Sequence, residues 1–168
     1  GGLVAQYTMF LYPTRVLKTV IIGSNPIGKN EIPLSPTFLE KAVIPNYTPK
    51  DIEVLFYEPK SETSRKAAQA SWDRIAQRID QSKVPTKPEI LQRYFASSEA
   101  LAQDKERFRE AYKTIETPVL AISGDHDISF AVENWFPLLQ NAPTLQHIVF
   151  PNAGHAPHYQ YSELATDY

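Results

Sequence analysis

An α/β fold with a parallel sheet is the expectation for this chain, and three observations carry it. First, Val16 to Ile22 is a β-branched run that reads as a buried strand, and strand signals return at Pro118 to Ser123 and Gln146 to Phe150. Second, stretches with helical apolar spacing precede the first run and follow each of the other two, the alternation that builds parallel sheets. Third, the text between the first and second runs carries helix signals only, so it reads as a helical insert. A length of 168 residues suits one domain with a sizeable core.

The elements follow in order. Leu3, Val4, Tyr7, Phe10 and Leu11 recur at steps of three and four, a helical stripe that Pro13 terminates. Val16 to Ile22 is the first strand and stops at Gly23. From Ser24 to about Glu116 the punctuation becomes helical. Ser35-Pro36, Thr48-Pro49 and Thr86-Lys87-Pro88-Glu89 each set a capping residue beside a proline in the first turn. Thr48 and Asp51, like Thr86 and Glu89, also have the spacing of a capping box. A long helix is expected from Glu62 to Ile79, with Ala68, Trp72, Ile75, Ala76 and Ile79 on one face, and another from Ser98 to Tyr112. The second strand ends in Gly124-Asp125-His126-Asp127, a helix follows at about Val132 to Gln140, and the third strand runs into Pro151-Asn152-Ala153-Gly154-His155. A last helix starts near Ser162-Glu163.

Composition excludes several classes of function. With 17 Lys and Arg against 19 Asp and Glu the formal charge is −2, and no basic cluster offers a face for nucleic-acid phosphates. Hydrophobic residues at 42% and charged residues at 21% rule out a disordered or fibrous chain. The apolar runs are too short to span a membrane, and a cytoplasmic location is expected. The absence of Cys removes disulfides, thiolate metal sites and a thiol nucleophile. The only Met is Met9, inside a periodic segment, and the chain ends at Tyr168 within an amphipathic helix. The expectation is therefore a portion of a longer protein.

The candidates for chemistry sit where the second and third strands end, the mouth at which parallel sheets set their functional loops. Asp125 and Asp127 offer carboxylates, and His155 an imidazole able to take and return a proton near neutrality. The plainer readings stand beside these. A histidine in a Gly/Pro loop also serves as a loop brace, His147 reads as a packed or edge residue of the last strand, and His126 carries no signal of its own. Asp-x-Asp after a strand can hold Mg²⁺, yet no phosphate loop accompanies it, so neither metal nor cofactor is expected. Phe56, Tyr57, Trp72, Tyr94 and Phe95 in the insert read mainly as core, a minority lining an apolar pocket. Trp72, Trp135 and His158 are the candidate substrate-binding residues, and a small molecule the expected partner.

These segments resemble the α/β-hydrolase family. In that family a strand ends in the sharp turn G-x-S-x-G that holds the nucleophile. Gly1-Gly2-Leu3-Val4-Ala5-Gln6, then Tyr12-Pro13-Thr14-Arg15-Val16, is similar to the text directly after that turn. Gly124-Asp125-His126-Asp127 resembles the G-x-x-D ending that delivers the family's acid, and Ala153-Gly154-His155 the loop that delivers its histidine. The resemblance implies that residues 1–23 and 117–168 form the last three strands of the core, and that 24–116 forms the variable cap. It selects Asp127 over Asp125 as the acid and His155 as the base, and it implies a nucleophile two residues before Gly1. The expected activity is hydrolysis of small, fairly apolar esters or related carbonyl substrates. Two alternatives stay open: an Asp nucleophile, as in haloalkane dehalogenases and epoxide hydrolases, and a hydrolase-like module that binds without turnover. The strand Val16 to Ile22 is expected to expose an unpaired edge.

Overall fold

Helix α1 (Gly2–Leu11) ends because Pro13 cannot supply the next helical N–H; Tyr12 leaves the helical region and closes the last turn on the carbonyl of Thr8. In the computed structural model, which describes residues 1–44, 46–78, 80, 83 and 88–168, α1 packs its buried Gln6 and Met9 towards strand β1 (Thr19–Ile22). The first strand is shorter than its apolar text. Its ladder with β2 (Val119–Gly124) begins at Thr19 paired with Val119, and upstream of Val119 stands Pro118, which has no N–H to pair. Val16 packs on the core, whereas Leu17 points to solvent at 85% exposure.

Strand β3 (Leu145–Phe150) completes a three-stranded parallel sheet of order β1-β2-β3. Its first residue, Leu145, pairs with Val119, one position earlier than the sequence suggests. The pleat separates two cores. Ile21, Val119, Ala121 and Leu145 face Met9, Tyr112, Trp135 and Leu138 on one side. Ile22, Leu120, Ile122, Ile148 and Phe150 face Ala153, Tyr161 and Ala165 on the other. Strand β1 is one edge of the sheet, and Val20 on it is 54% exposed.

The insert carries α2 (Pro36–Lys41), α3 (Pro49–Phe56), α4 (Glu62–Ala76) and α5 (Pro88–Gln103). Two of the expected caps form. Ser35 accepts from Phe38 N, and Thr48 with Asp51 makes a reciprocal capping box. Helix α4 ends at Ala76; Ile79, Thr86 and Lys87 lie outside the described residues.

The helix expected from Ser98 to Tyr112 is broken. Asp104 (φ 44°) and Arg107 (φ 60°) take left-handed conformations, and the Asp104 carboxylate accepts from Phe108 N at 2.8 Å and Arg109 N at 2.9 Å. That cap starts the short α6 (Phe108–Ala111), followed by a 3-10 turn at Tyr112–Thr114. Apolar periodicity does not register a left-handed aspartate. Likewise Val132 to Gln140 is a 3-10 turn, Val132–Trp135, and then α7 (Phe136–Leu139), with Pro137 in the first turn of the new helix. Helices α8 (Pro157–Gln160) and α9 (Ser162–Asp167) close the chain.

Both ends of the insert are stitched to the sheet layer by buried polar groups. Gln6 donates to Asn25 O at 3.0 Å and accepts from Ile27 N at 3.0 Å and Tyr112 OH at 2.8 Å. The indole N–H of Trp135 donates to Ser24 O at 2.8 Å, and Arg109 donates to Ile27 O at 3.0 Å. No helix among the described residues is long and apolar enough to cross a membrane.

Candidate functional site

Strands β2 and β3 end side by side, with Gly124 paired to Phe150, so the loops that follow them leave the sheet together. Their contact is tight. A Cβ on Gly124 would lie 2.2 Å from the carbonyl oxygens of both Ala153 and Gly154, so only glycine admits this approach. His126 N donates to Ala153 O at 2.9 Å, and Ala153 N donates to the Asp125 carboxylate at 3.2 Å. Asn152, in the left-handed region at φ 50°, turns the second loop. Asp125, the rival carboxylate of the sequence reading, is thus a brace between loops.

That brace brings Asp127 and His155 together across 28 positions of sequence. His155 Nδ1 stands 2.9 Å from Asp127 Oδ2. The other carboxylate oxygen, Oδ1, accepts from Ser129 N at 2.7 Å and Phe130 N at 3.1 Å. The Asp127 side chain has no exposure, while that of His155 keeps 23%. A buried carboxylate acting only as acceptor fixes the proton on Nδ1 of a neutral imidazole, because that nitrogen must donate. Nε2 then carries the lone pair. The pair can therefore withdraw a proton from a group at Nε2 and stabilise the imidazolium that results.

Two aromatic rings lie close to the imidazole. Phe130 lies with its centroid 5.5 Å from that of His155, and Phe56, from α3, at 5.6 Å. The sequence held a signal for half of this arrangement: Asp followed closely by Ser is the text of a turn in which the side chain takes backbone N–H groups ahead of it. Nothing local pairs Phe56 with His155.

The remaining histidines separate clearly. Burial pushes His147 down to about 4; its Nε2 is 3.0 Å from Ser123 Oγ and its ring packs near Trp135 and Phe136, the packed role its strand position implies. His158 is held below the usual imidazole range by burial and, secondarily, by His155 nearby, with Nδ1 buried and unpartnered among the described atoms. His126, without a signal in the sequence, has Nδ1 3.3 Å from Glu58 and 3.6 Å from Asp125.

Two candidate substrate-binding residues stand elsewhere. Trp135 is 1% exposed, inside the main core and hydrogen-bonded through its indole, so it presents no face to a ligand. Its aromatic bulk is used to bury the turn after β1. Trp72 sits in a groove of about 220 Å³ lined by Pro49, Lys50, Glu53, Ala68 and Gln69, with neither Asp127 nor His155 in its walls. Among the described residues no group of three or more His, Asp or Glu is arranged to hold a metal ion.

No protein-family model matches the sequence, and no curated protein matches it. Solved structures do match. An alpha/beta hydrolase fold protein from Chitinophaga pinensis is 20% identical, with a TM-score of 0.67 over 99% of this chain and 59% of its own. A putative lipase from Acinetobacter baumannii AYE is 19% identical, with a TM-score of 0.71 over 99% of this chain and 55% of its own. A serine hydrolase from the polyaromatic hydrocarbon-degrading bacterium Cycloclasticus zankles is 16% identical, with a TM-score of 0.66 over 99% of this chain and 58% of its own. The chain thus spans 55–59% of the length of these proteins. What they share with it at such identities is the fold.

Proposed function

We propose, from the premise that this chain has a partial α/β-hydrolase fold, that it carries the acid and base of a hydrolase. Its substrates are small, fairly apolar esters or related carbonyl compounds. The single observation that carries this reading is the Asp127–His155 contact of 2.9 Å, with the carboxylate buried and its second oxygen held by two backbone N–H groups. In this reading Asp127 is the orienting acid, His155 the general base, and a serine upstream of Gly1 the nucleophile. Residues 24–116 form the cap over the site. Further support comes from the similar structures, which include a protein described as a serine hydrolase and one described as a putative lipase.

The steps balance as acyl transfer. The serine oxygen bonds to the substrate carbonyl carbon while its proton passes to His155 Nε2, and Asp127 stabilises the imidazolium. The tetrahedral oxyanion collapses, the ester C–O bond breaks, and His155 returns the proton to the leaving alkoxide. Water then adds to the acyl carbon, giving its proton to His155, and expulsion of the serine oxygen with that proton restores the enzyme. Phe130 supplies apolar surface beside the imidazole, which suits an apolar acyl or alcohol group.

The test uses the full-length protein recovered with its upstream coding sequence. A fluorophosphonate probe labels a serine two positions before Gly1, and His155→Ala lowers kcat on short-chain esters on the order of 10³-fold or more. An aspartate at that position, with no labelling, moves the assignment to the Asp-nucleophile branch. Undiminished turnover in His155→Ala removes the role of His155, and with it the reading.

A further inference from the structure

The insert reaches the imidazole through one short stretch at the end of α3. Three independent contacts converge there. Ala156 N, next to His155, donates to the carbonyl of Phe56 at 2.9 Å. Gly154, on the other side of His155, lies so close that a Cβ would meet the Tyr57 backbone at 2.7 to 2.9 Å. Glu58, whose side chain is only 12% exposed, faces His126 Nδ1 at 3.3 Å, on the loop that carries Asp127. Glu58 is itself held, because its N–H donates to Ser64 Oγ at 2.8 Å and its carboxylate accepts from Lys60 N at 2.7 Å. The Phe56 ring lies beside the imidazole, its centroid 5.6 Å from that of His155, and the Phe130 ring stands 5.5 Å from the same imidazole.

We propose that Phe56-Tyr57-Glu58 is a clasp by which the insert positions His155, with Phe56 as the positioning residue. The inference rests on the role of His155 proposed above. Backbone contacts on both sides of His155 set where its Cα stands, and the rings of Phe56 and Phe130 restrict the rotation that would carry Nδ1 away from Asp127. Phe56 is 37% exposed, so it contributes little to any core, and its use is at the ring it touches. Misplacement of a catalytic group by about 1 Å can cost up to roughly 10²-fold in rate, which makes such a contact matter without any chemistry of its own.

The experiment compares Phe56→Ala, Phe56→Leu and Glu58→Gln in the full-length protein. Two readouts are taken, steady-state kinetics and the downfield proton resonance of the His155 Nδ1–H. Positioning predicts that Phe56→Ala lowers kcat by roughly 10- to 100-fold, with KM little changed, and broadens or removes the resonance in the ligand-free protein. Phe56→Leu restores most of both, and Glu58→Gln gives a smaller loss of the same kind. A raised KM with kcat and resonance intact overturns the proposal, because Phe56 is then only a wall of the substrate site. An unchanged resonance in both Phe56→Ala and Glu58→Gln also overturns it. The resonance is read without turnover, so failure of the clasp is distinguishable from failure of the hydrolase reading, which the His155→Ala variant addresses.

Discussion

The loops at the ends of β2 and β3 and the helices of the insert are held by different kinds of interaction. Around the site the contacts are long in sequence and short in space: Gly124 against Ala153 and Gly154, Asp125 to Ala153, Asp127 to His155. In the insert the polar contacts are mostly local, such as Thr48 with Asp51, Lys66 with Glu62 and Gln69 with Asp73. Local caps and exposed ion pairs stabilise one helix each, typically by about 1 kcal/mol or less. Contacts between loops fail together, because each depends on the same backbone approach. The insert can therefore vary with modest cost, whereas the strand ends tolerate little.

That contrast can be broken most directly at Gly124. Gly124→Ala forces a Cβ between two carbonyl oxygens, and a loss of about 3 kcal/mol in unfolding free energy is expected, read from the shift in urea midpoint. Retained stability would mean that the two loops separate without penalty. A second effect is a dependence on pH. The folded-state value for His147 is about 4 against an ordinary 6.5, so the unfolded chain binds the extra proton in that window. Stability from this group is complete above about pH 6.5 and falls as the pH drops towards 4; it is flat below. Urea titrations across that range should show the slope, and His147→Gln should reduce it. The smallest effect belongs to the insert. Thr48→Ala removes the capping box of α3 and is expected to cost about 1 kcal/mol, with the urea midpoint as the measure. A cost at Thr48 equal to that at Gly124 would erase the distinction between the two regions.

Legibility in the sequence follows the same division. Ser35 and Thr48 were readable as helix starts because a cap involves only residues within one turn. The strands were readable from their apolar text, but β1 began later than expected since its first ladder partner depends on Pro118, a residue a hundred positions away. The break between α5 and α6 escaped periodicity because Asp104 and Arg107 change the handedness of the backbone, not the order of apolar residues. Trp135, a candidate substrate-binding residue in the sequence, follows the acid loop, a position that fits packing against the acid-bearing strand as well as facing a pocket. Its actual surroundings come from Ser24, Tyr112 and Met9, which no local window contains.

Local text alone determined that there are strands in the three apolar runs, where the Ser35 and Thr48 caps stand, and the chemical types at the two strand ends, because these depend on neighbours along the chain. Local residues left Asp125 and Asp127 both open and the family resemblance alone favoured Asp127; the tertiary structure sets Asp127 at His155, makes Asp125 a brace and lays Phe56 beside the imidazole. The physical reason is register. Pairing Gly124 with Phe150 sets how far each loop projects from the sheet, and because the two carboxylates stand two positions apart in the chain, that projection selects which of them reaches His155.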